Sequence, residues 1–357
     1  MNTRLLTPLL ALALTAAAAA PSGAAESQKA KYTVHWVLGH RNLDFFSEAA
    51  QNFKTAVEAR SHGDIAVVIE NAKDTGTDAS PEAEAIPGKV SKGDIEMGHS
   101  FVDVMGKTDS RLYAFEAPYL FRGYQHMEGV LDGAVGNELL SDMRSQHLVG
   151  LSFTYSGGAS GVASVSKPIR KPEDLKGLKV GVYGDEVNAA WLKSVGAIPV
   201  PIKHDLDGLA AMARSGSLDA VVITWRNFAH TGLQDSFKYM SMMDSTYLVS
   251  VTYANDKFYD GLPKEYQDLL MDESRKAGRV ERAKTIQLNE DSRISMLAKG
   301  VKSAALTEGG KAAFAAALKP AYDGAIGRAL TPALIERIKK SADGTIAPVV
   351  RSDLAQN

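Results

Sequence analysis

Short runs of β-branched and aromatic residues alternate along this chain with segments of helical periodicity, and this alternation restricts the possible folds more than any other feature. Residues 32–38 have the composition of a buried strand. Apolar residues then recur at three- and four-residue spacing as far as Ala59, and residues 65–69 form the next strand pattern. A strand–helix–strand unit of this kind predicts an α/β fold around a mainly parallel sheet.

The same alternation begins again near Gly150, which indicates a second lobe. The chain has 357 residues, and a single hydrophobic core stops growing at about 250–300 residues, so two lobes are expected. The glycine-rich stretch 156–161 is interpreted as a hinge at which the chain crosses between the lobes. We expect the first lobe to contain residues 26–153 and 247–290, and the second lobe to contain residues 154–246 and 291–357.

The segment from Lys264 to about Lys299 contains one glycine and no proline. It predicts one helix of up to about 35 residues, near 50 Å long, because each helical residue adds about 1.5 Å. Such a helix is long enough to brace both lobes. The remaining helices, around 311–318, 320–330 and 332–341, are expected to pack on the second lobe.

The first 25 residues have the layout of a secretory signal. Arg4 precedes an almost wholly apolar run from Leu5 to Ala20, and the small residues of 23–25 offer a cleavage site. The apolar run is shorter than the roughly 20 residues that span a bilayer. We therefore expect cleavage near Ala25 and export to the periplasm.

Composition excludes several kinds of partner and cofactor. The chain contains no cysteine, so no disulfide is expected in spite of the export signal. The net charge is -2 with acidic and basic residues interspersed, which gives no electrostatic basis for binding nucleic acid or an anionic membrane. The eight histidines are scattered, so we expect neither a metal site nor a cofactor.

The sequence also lacks the motifs of the common enzyme classes. There is no Walker loop, no nucleophile elbow and no His-Glu-x-x-His helix. His204 and Asp205 could form an acid/base pair, but adjacent residues do not face one another. We therefore expect a binding protein and not an enzyme. A secreted hydrolase or lyase that uses His204, and a sensory ectodomain without a pocket, stay open as alternatives.

Polar residues follow several predicted strands, and ligands bind at such strand ends in open α/β sheets. Arg41 and Asn42 follow the first strand, and Asp185 and Glu186 follow the strand that ends near residue 183. Asn42, Asp185 and Glu186 could instead serve the beginnings of the next helices. A further set follows the strand that ends near residue 98: Ser100, Phe101 and Asp103.

The strongest cluster is Thr224, Trp225, Arg226 and Asn227, which follows the predicted strand 220–223. Trp225 could supply a flat apolar face, and Arg226 a fork of donors for a carboxylate or several hydroxyls. In the alternative interpretation, Trp225 packs in the seam between the lobes and Arg226 is solvated. We adopt the interpretation in which these residues bind a ligand.

Several stretches, in their order along the chain, resemble the solute-binding proteins of tripartite ATP-independent periplasmic (TRAP) transporters. The resemblance rests on Glu116–Arg122, Ser166–Ile169, Pro172–Val180, Gly196–Pro201, Ser215–Ala220 and Asp260–Pro263. It implies a fold like that of type II periplasmic binding proteins, with two α/β lobes, a ligand cleft between them and a long helix that spans both. It further implies closure of the lobes around one ligand, delivery to membrane subunits, and no catalysis.

The sequence departs from the pattern of this family where the ligand is usually held. Most members grip a carboxylate with an arginine just after the Leu-Lys-Val strand, and this chain has Gly181 at that position. A second arginine, common in carboxylate binders, falls near Gly161. The usual Asp-Gly-x-Glu-Asn pattern is replaced by residues 219–223.

These departures leave two kinds of ligand open. Arg226 or Arg41 could supply the cation for an organic acid or a sugar acid, and we adopt this expectation. A buried anion without a cation would cost several kcal/mol. The alternative is a sugar, amino sugar or polyol contacted by Asp185 and Glu186. In either case we expect a monomer that delivers its ligand to the membrane subunits of a TRAP transporter.

Overall fold

In the computed structural model of the chain, residues 29–39, 44–71, 79–183, 186–202, 208–243 and 245–348 are described. Their strands are β1 (Tyr32–Leu38), β2 (Ile65–Asn71), β3 (Met97–Phe101), β4 (Leu148–Ser164), β5 (Lys179–Tyr183), β6 (Ile198–Ile202), β7 (Ala220–Thr224), β8 (Tyr239–Met242), β9 (Tyr247–Asn255) and β10 (Lys302–Ala305). Their helices are α1 (Asp44–Arg60), α2 (Ala79–Lys92), α3 (Val102–Gly106), α4 (Tyr124–Leu131), α5 (Ala134–Asp142), α6 (Glu186–Ser194), α7 (Leu209–Arg214), α8 (Trp225–His230), α9 (Asp256–Gly261), α10 (Lys264–Ala298), α11 (Glu308–Ala317), α12 (Lys319–Ala321), α13 (Gly327–Leu330) and α14 (Pro332–Lys340).

The strands form one continuous sheet in the order β2-β1-β3-β9-β4-β7-β5-β6, and β8 pairs with both β4 and β10. In the first half, β1 pairs in parallel with β2 and β3. In the second half, β5 pairs in parallel with β6 and β7. Between them, β4 and β9 run antiparallel to each other and to the strands beside them. Each half of the sheet with its helices is one lobe, which confirms the predicted pair of α/β lobes.

Strand β4 belongs to both lobes. Its residues 148–159 pair with β9 in the first lobe, and residues 160–164 pair with β7 in the second lobe. The register shifts near Gly157 and Gly158, where φ is +126° and +77°. A side chain at Gly157 would come within 2.6 Å of Thr224 Oγ1, so glycine is needed here for steric as well as conformational reasons. The crossing therefore lies inside the stretch 156–161 that the sequence marks.

Each lobe buries apolar side chains on both faces of its sheet. In the first lobe, Phe53 of α1 lies on one face and Val251 of β9 on the other. In the second lobe, Trp191 of α6 and Trp225 of α8 lie on opposite faces. Because both faces are covered, the central strands need apolar residues in nearly every position, which explains the continuous apolar runs in the sequence.

Helix α10 runs for 35 residues, as the sequence predicts. It packs against α1 of the first lobe and α8 of the second lobe, and it also lies on β4. A side chain at Gly278 would come within 2.8 Å of the Phe153 carbonyl oxygen, so the backbone of α10 rests directly on that of β4. No helix in the described ranges, α10 included, has the length and apolarity needed to cross a membrane.

The C-terminal helices divide between the lobes. Phe314 of α11 packs in the second lobe, as expected. Leu334 and Ile338 of α14 instead pack in the first lobe, and the Arg122 guanidinium there donates to the Lys339 carbonyl oxygen at 2.9 Å. The expectation that all of these helices pack on the second lobe is therefore wrong for α14, and also for α13, whose Leu330 packs in the same first-lobe cluster. The apolar face of α14 is matched by the first-lobe helices, a match between distant segments that periodicity alone does not reveal.

Candidate functional site

Polar side chains meet where strands of the second lobe end. Tyr183 is the last residue of β5, and Asn227 lies in the first turn of α8, directly after β7. The Tyr183 hydroxyl is hydrogen-bonded to the Asn227 side chain. Asn227 Nδ2 also donates to the carbonyl oxygen of Ser156 at 3.3 Å, beside the crossing in β4. This network therefore joins the ends of two second-lobe strands to the strand that links the lobes.

The first lobe places two carboxylates beside this network. Asp103 of α3 and Glu116 of the 3-10 segment Ser110–Glu116 are 7% and 3% exposed. Burial raises the pKa of Tyr183 above its ordinary value, and the negative charges of Asp103 and Glu116 raise it further. The phenol of Tyr183 is therefore neutral at physiological pH and can donate a hydrogen bond.

The strongest sequence cluster is only partly directed at this network. Thr224 is buried, and its hydroxyl caps α8 by accepting a hydrogen bond from the backbone N–H of Asn227 at 3.1 Å. The Trp225 indole is 1% exposed and packs in the second-lobe core with Phe228. The expected flat apolar face for a ligand is therefore absent. The first turn of α8 points Trp225 into the lobe and places Asn227 near Tyr183.

Arg226 is half-buried between these two residues in the chain. Its amide donates to Asn289 Oδ1 of α10 at 3.0 Å, which fixes the start of α8 on the long helix. The structure thus places a guanidinium-bearing residue immediately beside Asn227.

The remaining predicted residues have different placements. Ser100 is buried, and its hydroxyl lies 2.6 Å from the Tyr253 hydroxyl in the first lobe. Phe101 is half-buried at the end of β3, and Glu186 is exposed at the beginning of α6. Arg41, Asn42 and Asp185 lie outside the described residues, as do His204 and Asp205.

Both positions at which the family resemblance implies an arginine are tightly packed in this structure. A side chain at Gly181 would begin 3.2–3.3 Å from Ile202, Leu218 and Val221, which are all apolar. A side chain at Gly161 would begin 2.5 Å from the carbonyl oxygen of Ser241 in β8. The atoms around Gly181 and Gly161 are packed against glycine and not against a long charged side chain. A ligand carboxylate would therefore need a cation from another position.

A separate cavity of about 420 Å³ lies on both lobes and is lined by none of the predicted ligand residues. Its walls come from the first-lobe segment around Phe121 and Tyr124, from Tyr247 of β9, and from Leu306 and Lys311 of the second lobe. Within the described part of the chain, no group of three or more acidic or histidine side chains could hold a metal ion.

Sequence reasoning missed several of the residues that meet between the lobes. Tyr183 satisfies the same criterion as the predicted residues, because it ends a strand, and could have been found in that way. Glu116 and Asn188 carry no such signal. They come together only through the packing of α6 against the first lobe.

Comparison with known proteins agrees with this architecture. The model of the family described as "Bacterial extracellular solute-binding protein, family 7" matches residues 40–328. A 2,3-diketo-L-gulonate-binding periplasmic protein of Escherichia coli (strain K12) is 25% identical over 236 residues, which are 66% of this chain and 69% of that protein. A C4-dicarboxylate-binding periplasmic protein of Rhodobacter capsulatus is 26% identical over 151 residues, or 42% of this chain and 44% of that protein.

Solved structures share the fold. A TRAP periplasmic solute-binding protein from Roseobacter denitrificans with bound β-D-glucuronate has a TM-score of 0.77 at 20% identity, covering 87% of this chain and 100% of that one. One from Xanthobacter autotrophicus Py2 with bound β-D-galacturonate has a TM-score of 0.75 at 24% identity and the same coverage. The chain thus has the fold of type II-like periplasmic binding proteins, with a ligand cleft between two lobes. With more than half of its length matched by the family model, the chain belongs to the bacterial extracellular solute-binding protein family 7, a family of transport proteins and not of enzymes.

Proposed function

We propose that this chain binds a small hydroxylated acid, of the sugar-acid class, in the cleft between its lobes. The observation that carries the proposal is the hydrogen-bonded pair of Tyr183, the last residue of β5, and Asn227, in the first turn of α8, with the charge of the first-lobe carboxylate Asp103 acting on the Tyr183 phenol. A neutral phenol, an amide and a carboxylate together offer donors and acceptors, which is the chemistry that several ligand hydroxyls require.

Arg226 is proposed to hold the carboxylate of the ligand. It neighbours Asn227 in the chain, and its backbone is held on α10 by Asn289. The arginine positions typical of the family are closed here by apolar and backbone atoms around Gly181 and Gly161. A guanidinium that forms two parallel hydrogen bonds matches a carboxylate in geometry and charge. Arg41 is the second candidate for this role.

The solved relatives that bind glucuronate and galacturonate support this ligand class. Both of those ligands combine one carboxylate with several hydroxyls. Asp103 and Glu116 favour a second candidate, an amino sugar or a neutral sugar, because buried carboxylates accept hydrogen bonds from amines and hydroxyls and repel an anion. The two candidates differ in the charge of the ligand.

Membership of the family supports a proposal for the cellular role. Its relatives are periplasmic binding proteins. We propose that the signal segment is cleaved near Ala25, that the mature chain is a periplasmic monomer, and that its lobe closure is recognised by the membrane subunits of a TRAP transporter. Asn42, Asp185 and Glu186 remain proposed ligand contacts, whereas Ser100 and Trp225 are proposed to support the cleft from inside the lobes.

Calorimetric titration of the mature chain tests the ligand class. D-glucuronate and D-galacturonate are the anionic probes, D-glucose the neutral probe and D-glucosamine the cationic probe. We expect heat of binding with a uronate and little with glucose. The substitution Arg226→Gln should weaken uronate binding by about tenfold or more, since hydrogen bonds to charged groups contribute roughly 1.5–3 kcal/mol.

The matched control is Arg214→Gln, which removes an exposed second-lobe arginine and should leave affinity unchanged. Binding of D-glucosamine in preference to the uronates would replace the anionic ligand by the second candidate. Uronate binding that survives Arg226→Gln would remove Arg226 from the proposed role.

A further inference from the structure

Helix α6 belongs to the second lobe, yet one of its sides is buried in the first. Val187 packs in the same apolar cluster as Phe115 and Leu139 of the first lobe. At the next residue, Asn188 Nδ2 donates a hydrogen bond to Glu116 Oε2 at 2.7 Å. Both side chains are 3% exposed. A buried, charge-assisted hydrogen bond therefore spans the two lobes.

The second lobe fixes the orientation of the Asn188 amide. Trp191 Nε1 donates to Asn188 Oδ1 at 3.1 Å, and Trp191 itself is buried in the second-lobe core. An indole nitrogen can only donate, so the amide oxygen faces Trp191 and the amide nitrogen faces the first lobe. The hydrogen bond from Trp191 thus orients the Asn188 amide nitrogen toward the Glu116 carboxylate.

We infer that Asn188 and Glu116 form a latch that holds the two lobes closed. The bond has one partner in each lobe and contributes nothing to the folding of either lobe by itself. In a closed molecule it is shielded from water, where a charge-assisted hydrogen bond is strong. When the lobes separate, water solvates both groups, so the pair stabilises only the closed arrangement.

The latch adjoins the candidate ligand site. The Glu116 carboxylate acts electrostatically on the Tyr183 phenol, which is hydrogen-bonded to Asn227. A ligand that contacts Tyr183 therefore lies near the carboxylate that the latch uses. This coupling rests on the proposed function, whereas the latch between the lobes does not require any ligand.

Distances between spin labels in the ligand-free chain test the latch. The chain has no cysteine, so Lys89→Cys and Ser215→Cys, both at exposed positions, place one label on each lobe. In this doubly labelled chain, Asn188→Asp puts two carboxylates face to face. We expect the population at the long, open distance to increase. If that population increases enough to lower the closed fraction about tenfold, the affinity for any closing ligand should fall by the same factor.

A charge swap separates a latch from a purely structural contact. In the double variant Glu116→Gln with Asn188→Asp, the new amide can donate to the new carboxylate, and Trp191 can still donate to residue 188. We expect the distance distribution to return toward that of the parent chain. The matched control is Asn255→Asp, which changes a buried asparagine bonded to Val90 within the first lobe and should leave the distance unchanged.

Two results would overturn the inference. One is an Asn188→Asp chain with native circular dichroism and an unchanged distance distribution. The other is a double variant as open as Asn188→Asp alone. If Asn188→Asp does not fold, Asn188→Ala replaces it, because it removes the donor without adding charge, and an unchanged distance would again contradict the latch. Because every distance is measured without ligand, failure of uronates to bind would overturn the proposed function and leave the latch standing.

Discussion

The guanidinium of Arg282 and the carboxylate of Glu128 lie 2.8 Å apart inside the first lobe, with 1% and 3% of their side chains exposed. Arg282 comes from the middle of α10 and Glu128 from α4. The same carboxylate accepts a hydrogen bond from the Tyr155 hydroxyl of β4 at 2.9 Å. The long helix, a first-lobe helix and the strand that crosses between the lobes are therefore joined by one buried charge cluster.

Removing the cation of this cluster should strongly destabilise the chain. Arg282→Met leaves the Glu128 carboxylate buried without its guanidinium, and losing one partner of a buried pair costs about 3–5 kcal/mol. Urea unfolding followed by circular dichroism measures the loss. The control Arg293→Met breaks an exposed pair with Glu290 and should cost less than about 1 kcal/mol. Equal losses of unfolding free energy in the two variants would show that the buried pair stabilises the chain no more than the exposed pair does.

Stability should depend on pH through Glu281. Burial raises the pKa of this glutamate from 4.5 to about 8, and its two carboxyl oxygens accept hydrogen bonds from the Thr285 hydroxyl and the backbone amide of Tyr155. Between these two pH values the folded chain keeps a proton that the unfolded chain has lost, so the free energy of unfolding should fall as pH rises through this window. Below and above the window this group should have no further effect.

The substitution Glu281→Gln should remove this part of the pH dependence. Urea unfolding at several pH values between about 4.5 and 8 compares the slopes. Glu290→Gln, which changes an exposed glutamate of the same helix, is the control and should keep the parent slope. A parent chain whose stability does not fall across the window would contradict the raised pKa.

Gly158 should tolerate alanine less well than Gly177 does. The two glycines have nearly equal φ values, +77° and +75°, so the backbone strain of alanine is matched. A side chain at Gly158 would overlap the Tyr124 hydroxyl, whereas a side chain at Gly177 would meet open space. We expect Gly177→Ala to cost about 1–2 kcal/mol, and Gly158→Ala to cost about 1–3 kcal/mol more because of overpacking. Thermal unfolding compares them, and equal midpoints would show that β4 can move away from Tyr124.

Restoring the arginine of the family should not create a carboxylate clamp. Gly181→Arg forces a charged side chain among Ile202, Leu218 and Val221, where an uncompensated charge costs several kcal/mol. We expect a marked loss of thermal stability and no gain in uronate affinity. Lys176→Arg, an exposed change in the same lobe, is the control. A stable Gly181→Arg chain with tighter uronate binding would mean that the strand can redirect this position toward the cleft.

Tyr183→Phe should lower the affinity for the ligand while changing the stability of the fold only slightly. The phenyl ring keeps the buried packing, and only the hydroxyl that is hydrogen-bonded to Asn227 is lost. We expect stability to change by about 0.5–1.5 kcal/mol, the usual net contribution of one hydrogen bond. If the hydroxyl also contacts the ligand, uronate affinity measured by calorimetry should fall about tenfold. The control Tyr239→Phe changes a half-buried tyrosine in β8 of the same lobe and should leave affinity unchanged.

The architecture was predictable because it depends on local periodicity. Alternating strands and helices predicted the two α/β lobes, and a run with one glycine and no proline predicted the 35 residues of α10. The cluster of glycines at 156–161 indicated the crossing in β4. Glycine readily adopts positive φ, as Gly157 and Gly158 do, so such a backbone can be expected from the residue type alone. Each of these features depends on residues that are close together in the chain, so a short stretch of sequence is enough to predict it.

The candidate site was predictable only by position along the chain. The criterion of strand ends led to Asn227, and it applies equally to Tyr183. It could not tell which neighbour points inward: Trp225 is in the core and Asn227 is beside Tyr183, although both follow the same strand. That choice depends on the apolar residues of the second-lobe core that surround Trp225, which come from distant parts of the chain.

The sequence by itself therefore determined the elements and the two lobes, because hydrophobic periodicity acts over a few residues. Tertiary structure alone decided that α14 packs on the first lobe, that Gly181 faces an apolar surface, and that Asn188 meets Glu116. These are contacts between segments far apart in the chain. Their energies depend on how whole faces fit together, and no short stretch of sequence contains that information.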